Sequence, residues 1–221
     1  MLGRLKTEWR LKLALFVVVN AVFWTCYLVL SRHAFFPEHT VPVTVIDRAV
    51  GFQPAGWDWV YLSQYLFTGT LPLLLTSRAD IRRYAVSLAM MCPASFAIFL
   101  LFPTRGPRPA DVGGTFPMEW IANADGPLNA LPSLHAAFIV CMAALAWRMF
   151  GGAAPRTVVL ISIVWGGAIL FSTLATKQHY ALDLLAGGAL GWLADTVAWR
   201  GARAAAMMPV RIGAASQGGS R

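Results

Sequence analysis

The sequence predicts an all-α integral membrane protein, built as one bundle of six transmembrane helices. Hydrophobic residues make up 57% of the 221-residue chain and charged residues make up 13%, which is about half of the ~25% usual in soluble proteins. Six apolar segments follow one another, each near the ~20 residues that cross the hydrocarbon core as a helix. We expect one membrane domain over 1–206 and a disordered, Gly-, Ala- and Ser-rich cytoplasmic tail over 207–221.

The six segments cover 11–30, 57–75, 84–102, 134–150, 157–175 and 180–199. The first has the basic start of a signal peptide, but its apolar run is longer than the ~7–15 residues of a signal core. We therefore expect a retained helix. The fourth segment is the shortest and needs tilt to span. In the last segment, Gly187 and Gly191 have the spacing of a close helix–helix contact.

The distribution of cations predicts the orientation of the bundle. With the N-terminus in the cytoplasm, 13 of the 18 Lys and Arg residues fall on the inner side. This positive-inside bias predicts that both termini are cytoplasmic and that the long connections 31–56 and 103–133 face outward. The formal net charge of +8 reflects the same bias and does not indicate nucleic-acid binding. We expect a multi-pass protein of a bacterial inner membrane.

His179 and Asp183 are the pair that most strongly indicates chemistry. Four residues are about one helical turn, so both side chains are predicted to share a face. A carboxylate that accepts the Nδ1 proton of a histidine leaves Nε2 free to attack. A structural ion pair between two helices is the alternative, because an unpaired charge in the membrane costs several kcal/mol.

A helix start precedes the fourth segment. Ser133, after Pro132, is predicted to cap the exposed N–H groups of this helix, whose positive end attracts anions. His135 then lies in the first turn, beside any anion bound there. A capping serine beside a structural histidine is the alternative interpretation.

Three cations are predicted on the same outer face. Arg105 and Arg108 lie on a proline-rich turn after the third segment, and Lys177 lies two residues before His179. A guanidinium group matches the geometry of phosphate oxygens, so these side chains are candidates for binding phosphate. Anchoring to lipid headgroups is the alternative.

Aromatic residues open the second segment: Trp57, Trp59, Tyr61 and Tyr65. Such residues form either a belt at the membrane interface or the wall of a lipid groove. We expect the belt.

The sequence predicts no metal and no cofactor. The three cysteines fall inside apolar segments without the spacing of a metal or redox motif, so we expect small buried hydrophobic residues: Cys26, Cys92 and Cys141. After Asp125 the only acidic residues are Asp183 and Asp195, and no Asp-rich cluster or HExxH motif is present. We expect metal-independent activity, with cations supplying the positive charge that phosphoryl transfer needs.

Three stretches resemble the signature blocks of the type 2 phosphatidic acid phosphatase (PAP2) superfamily. They are 103–109 (PTRGPRP), 132–135 (PSLH) and 172–183 (STLATKQHYALD). The residues of the last two stretches look closest to those of the branch that contains the inositolphosphotransferases of inositol phosphorylceramide synthesis. The resemblance implies a six-helix bundle with its active site at the outer surface, acting on a membrane lipid.

Carried over residue by residue, the resemblance implies a phosphohistidine mechanism. His179 becomes the nucleophile, Asp183 orients and activates it, and His135 protonates the leaving alcohol. Ser133 and Arg108 bind phosphoryl oxygens.

Two positions depart from the family pattern. The family pattern has a lysine seven residues before its Arg-Pro pair, and in this chain the position is occupied by Leu101. The pattern also has an arginine directly after its serine, and here Thr173 follows Ser172. We expect Arg105 and Lys177 to replace these two cations.

The sequence leaves the reaction open. Water acting on the phosphohistidine makes the protein a lipid phosphatase, whereas an alcohol or lipid acceptor makes it a headgroup transferase. The substrate is a phospholipid, a sphingolipid or a polyprenyl phosphate. The alternatives are a non-catalytic lipid-binding or transport bundle, and an intramembrane serine hydrolase using Ser133, His179 and Asp183, although no GxSxG elbow is present.

Overall fold

The computed structural model describes residues 2–112, 114–150 and 156–207. Its described residues form ten helices and two strands of two residues each. The helices are α1 (Leu2–Lys6), α2 (Trp9–Arg32), α3 (Val45–Ala49), α4 (Trp57–Leu62), α5 (Gln64–Leu73), α6 (Arg78–Leu101), α7 (Phe116–Ala124), α8 (Leu134–Phe150), α9 (Arg156–Ala175) and α10 (Ala181–Met207), and the strands are β1 (His39–Thr40) and β2 (Thr104–Arg105). The mostly helical architecture agrees with the predicted class. Apart from Met207, the predicted tail lies outside the described residues.

Four helices of the described chain are long and apolar enough to cross a membrane: α2, α6, α9 and the Ala181–Arg200 part of α10. Helix α8 is apolar but shorter, with 17 residues, as its sequence predicted. These helices make the protein an integral membrane protein.

The second predicted segment is not one continuous helix. It consists of α4 and α5, which meet at Ser63. The Ser63 hydroxyl donates to the carbonyl of Val60 at 2.6 Å and accepts from the indole N–H of Trp165 at 2.8 Å. A serine hydroxyl bonded to its own backbone competes with regular helical geometry, which accounts for the interruption.

Helix α8 packs against α10 and α9, and α10 also packs against α6. At Gly187 a Cβ atom would collide with the backbone carbonyl of Ser133, and at Gly191 with that of Ala137. The predicted close contact at these two glycines is therefore confirmed. It brings the first turns of α8 and α10 together.

One end of the bundle carries the loops 33–56, 102–133 and 176–180, which we call the loop end. Strand β1 pairs in parallel with β2, and Ala130 donates its N–H to the carbonyl of Thr104 at 3.0 Å. Val41, Ala130 and Tyr180 form a small buried cluster beneath these strands. The loops are thereby fixed over the starts of α8 and α10.

The three cysteines are unpaired, as predicted. Cys92 and Cys141 are buried and Cys26 is half-buried.

Candidate active site

His179 and Asp183 are in contact at the start of α10. Nδ1 of His179 lies 2.8 Å from Oδ2 of Asp183, so the predicted pair is present. His179 precedes the helix, however, and Asp183 lies in its first turn. Oδ1 of Asp183 also accepts the backbone N–H of Tyr180 at 2.7 Å. The carboxylate therefore caps the helix and orients the imidazole at the same time.

His135 completes a chain of three side chains. Its Nδ1 lies 3.0 Å from Nε2 of His179. An ionised Asp183 can only accept, so Nδ1 of a neutral His179 carries the proton and its Nε2 accepts from Nδ1 of His135. Nε2 of His135 is buried and has no hydrogen-bond partner among the described residues. His179 is 4% exposed, and Asp183 is fully buried.

Tyr61 belongs to this site, so its assignment to an interfacial belt is wrong. Its ring centroid lies 4.8 Å from that of His135, and the residue is 3% exposed. The interruption between α4 and α5 follows two residues later. By contrast, Trp59 is exposed, as a belt residue is expected to be.

Ser133 links the starts of the two helices. Its hydroxyl accepts the N–H of Ala136 at 3.3 Å, which confirms the predicted cap. Its own N–H donates to the carbonyl of Asp183 at 2.9 Å. Among the described residues no hydrogen bond joins this hydroxyl to His179, whereas a serine hydrolase requires that contact.

Arg108 lies beside the half-buried carboxylate of Asp125, a residue that the sequence analysis missed. Its guanidinium donates to the carbonyls of Asp125 at 2.7 Å and Gly126 at 3.0 Å, and it lies 3.8 Å from the Asp125 carboxylate. That carboxylate also accepts from Tyr27 at 2.6 Å and from Tyr61 at 3.4 Å. Asp125 thus connects Arg108 with the aromatic ring that packs on His135.

Arg105 and Lys177 have other partners in the loop end. Arg105 forms an exposed ion pair with Glu38 at 2.9 Å. The Lys177 ammonium donates to the carbonyls of Asp47, at 2.7 Å, and Val50. Burial lowers the pKa of Lys177, although the nearby Asp47 carboxylate opposes this shift. Among the described residues no hydrogen bond or ion pair joins either cation to the histidines, and their proposed role as phosphate ligands rests on the resemblance alone.

Asp47 is a second residue that the sequence analysis missed. It accepts the backbone N–H of Ala181 at 2.8 Å, at the first residue of α10, and forms a capping box with Thr44. Burial alone raises the pKa of Asp47, but the hydrogen bonds from Thr44 and Ala181 outweigh it and the net pKa is lowered. The Thr-x-x-Asp spacing is a recognisable signal, whereas the contact with Ala181 spans 134 residues.

The two departures from the family pattern, Leu101 and Thr173, add no charge to this site. Thr173 is fully buried, and its hydroxyl donates to the carbonyl of Leu170 at 2.7 Å. Leu101 is half-exposed at the end of α6. Within the described ranges, no three His, Cys, Asp or Glu side chains are grouped so as to hold a metal ion. Metal independence stays a prediction.

Comparison with known families gives one match. The family model described as PAP2 superfamily matches residues 55–197, which include the two histidines, Asp183, Ser133 and Arg108. No curated protein and no solved structure matches the chain.

Proposed function

The chain belongs to the PAP2 superfamily, and on this premise we propose that it is a membrane enzyme that transfers the phosphoryl group of a lipid phosphate ester through a phosphohistidine. Membership of the superfamily indicates phosphatase or phosphotransferase activity on phosphate esters. The observation that carries the proposal is the hydrogen-bonded chain His135–His179–Asp183, with separations of 3.0 and 2.8 Å.

In the first step Nε2 of His179 attacks phosphorus, the N–P bond forms and the bond to the leaving alcohol breaks. His135 gives a proton to the departing oxygen. Asp183 stabilises the positive charge that develops on His179. The contact between the two histidines opens for this step, because phosphorus takes the place of the His135 proton at Nε2.

In the second step an oxygen nucleophile attacks the phosphohistidine and gives its proton to His135, and the N–P bond breaks. Water as nucleophile yields phosphate, whereas an alcohol yields a new phosphate ester. The likeness to the inositolphosphotransferase branch supports transfer, and hydrolysis is the default of the wider superfamily. Both reactions use the same residues.

Arg108 and Ser133 are the proposed ligands of the phosphoryl oxygens. Arg108 donates to the carbonyls of Asp125 and Gly126, and its other N–H groups, which have no hydrogen bond within the described part of the chain, are proposed to bind phosphate. The start of α8 adds backbone N–H groups and a positive dipole end. Arg105 and Lys177 remain the proposed replacements for the cations absent at Leu101 and Thr173, provided that they exchange the partners described above for phosphate.

We also propose that all six segments span a bacterial inner membrane and that both termini are cytoplasmic. The excess of Lys and Arg at the end opposite the loops supports this orientation. The histidines then face the outer leaflet, where a lipid phosphate reaches them laterally.

The reaction is tested with purified protein, labelled lipid phosphates and a panel of alcohol acceptors. We expect free phosphate without an acceptor, or a new lipid with one, and loss of both products in His179→Ala. His33→Ala is the matched control, because His33 is exposed and its ring bonds, among the described residues, to the carbonyl of Val29 alone. Unchanged turnover in His179→Ala would contradict the phosphohistidine scheme, whereas no turnover of any substrate by the wild-type protein would favour a non-catalytic lipid-binding or transport bundle.

A further inference from the structure

Two cavities extend from His135 along α2 and α5. A small cavity of about 50 Å³ is lined by His135, Tyr61 and Asp125. A larger one of about 310 Å³ lies between α2, α5 and α6 and is mostly apolar. The two cavities share five lining residues, Phe23, Trp24, Gln64, Tyr65 and Phe138. The two cavities are therefore neighbours, and we call them together the groove, with a polar and an apolar part.

Two unpartnered polar atoms mark the polar part. Nε2 of His135 and Oε1 of Gln64 are both buried without a hydrogen-bond partner among the described residues. Buried polar atoms are normally paired, so these two point to a missing ligand. A hydroxyl group suits both atoms. It can donate its proton to Oε1 of Gln64, while its oxygen exchanges a proton with Nε2 of His135.

We propose that this groove binds the lipid alcohol of the reaction, with its hydroxyl at His135 and its hydrocarbon chain between α2, α5 and α6. The inference rests on the proposed function and adds to it the place of the alcohol and the chemistry of its chain. In the substrate the phosphorus is bonded to the oxygen of this alcohol, so it lies between that oxygen and Nε2 of His179, with Arg108 beside it. A polar acceptor or water then enters from the loop end.

Lys12 closes the far end of the groove. Its ammonium donates to the carbonyls of Leu73 at 2.6 Å and Arg4 at 2.7 Å, and the residue is 7% exposed. From Trp24 to Lys12 the helix α2 rises ~18 Å, a little more than the ~15 Å depth of one leaflet. The groove thus runs from a level ~12 Å below the outer end of α2 to near its inner end, and Lys12 limits the length of the lipid chain.

Gly69 offers a way to fill the groove without disturbing the protein. It lines the larger cavity, and a Cβ atom built on it meets nothing within 4 Å. Gly69→Leu therefore places a side chain where the lipid chain is proposed. Gly167→Leu is the matched control, because Gly167 is an exposed residue of α9 with equally open surroundings, and it does not line the groove.

The experiment compares kcat/KM for dipalmitoyl phosphatidate, dibutyryl phosphatidate and a water-soluble aryl phosphate. We expect Gly69→Leu to lower the value for the long-chain substrate by about tenfold or more, a loss typical of a filled apolar subsite. The values for the short-chain and aryl substrates stay within about twofold of wild type, and Gly167→Leu leaves all three unchanged.

A second variant on the opposite wall keeps the test independent of one helix. Asn20 lines the same cavity from α2, and Asn20→Trp is expected to give the same selective loss for the long-chain substrate. The melting temperature of every variant is recorded. Equal effects on long-chain and short-chain substrates, or none, overturn the groove proposal while wild-type activity upholds the proposed function. A wild-type protein inactive on all three phosphate esters overturns both.

Discussion

Nε2 of His179 lies 3.0 Å from Nδ1 of His135, although the two residues are 44 positions apart in the chain. The contact exists because the glycines of α10 let its backbone approach α8, as Gly187 does against Ser133. Packing of two small-residue helix faces thus positions the proposed nucleophile against the proposed acid.

Asp183→Asn is expected to lower kcat by about three to four orders of magnitude, as an amide in place of a carboxylate disfavours the required tautomer of a catalytic histidine. The side chain keeps its size and its acceptor for the Tyr180 N–H, so the melting temperature should change little. Steady-state kinetics beside thermal unfolding measure both. A fall in stability with unchanged kcat would assign Asp183 a structural role only.

Asp125→Asn is expected to weaken binding of the phosphoryl group rather than the chemical step. The substitution removes the charge that pairs with Arg108, while the backbone carbonyls of Asp125 and Gly126 still hold the guanidinium. We expect KM and the inhibition constant of vanadate to rise by about three- to tenfold, with kcat nearly unchanged. Glu119→Gln, which removes a negative charge from an exposed residue of α7, is the control. An unchanged vanadate constant would contradict the coupling.

Asp47→Asn is expected to destabilise the protein in a pH-dependent way. The lowered pKa of Asp47 means that its carboxylate stabilises the folded state above its ordinary pKa of about 4. This contribution is lost as the pH falls through the lowered folded-state pKa. The variant should therefore unfold about 0.5–2 kcal/mol more easily at neutral pH, and the difference should shrink below about pH 4. A difference independent of pH would contradict this account.

Gly187→Ala is expected to destabilise the bundle by at least about 1–3 kcal/mol, because the added methyl group meets the backbone carbonyl of Ser133. Gly188→Ala provides a control one residue away, since its Cβ lies 3.6 Å from Val140, an ordinary contact. Thermal unfolding in detergent compares the two. Equal stability of both variants would show that α8 and α10 do not pack as described.

Turnover is expected to persist in excess EDTA. Arg108 and the start of α8 supply positive charge to the phosphoryl oxygens, so no divalent ion is required in the proposed scheme. Phosphate release is measured with and without chelator. Complete loss of turnover that Mg²⁺ restores would contradict the prediction.

Local patterns predicted those features whose causes are local. The spacing of Gly187 and Gly191 indicated a close helix contact, and the position of Ser133 indicated a cap, because each depends on neighbours along one helix. The interruption at Ser63 was not predicted, since hydropathy does not register a hydroxyl bonded to its own backbone and to Trp165.

Features that depend on distant contacts escaped prediction. Asp125 accepts hydrogen bonds from Tyr27 and Tyr61, which are 98 and 64 residues away in the chain. No local sequence pattern predicts contacts over such distances. Tyr61 was assigned to an interfacial belt because it neighbours Trp57 and Trp59, yet its ring turns inward against His135.

The most direct test of the central claim is to trap the phosphoryl enzyme. The protein is mixed with labelled lipid phosphate, quenched in base within one turnover, and digested for mass spectrometry. The account predicts an acid-labile, base-stable phosphate on His179, absent from His179→Ala and retained in His33→Ala. Phosphate on Ser133 instead, or full turnover in His179→Ala, would contradict it.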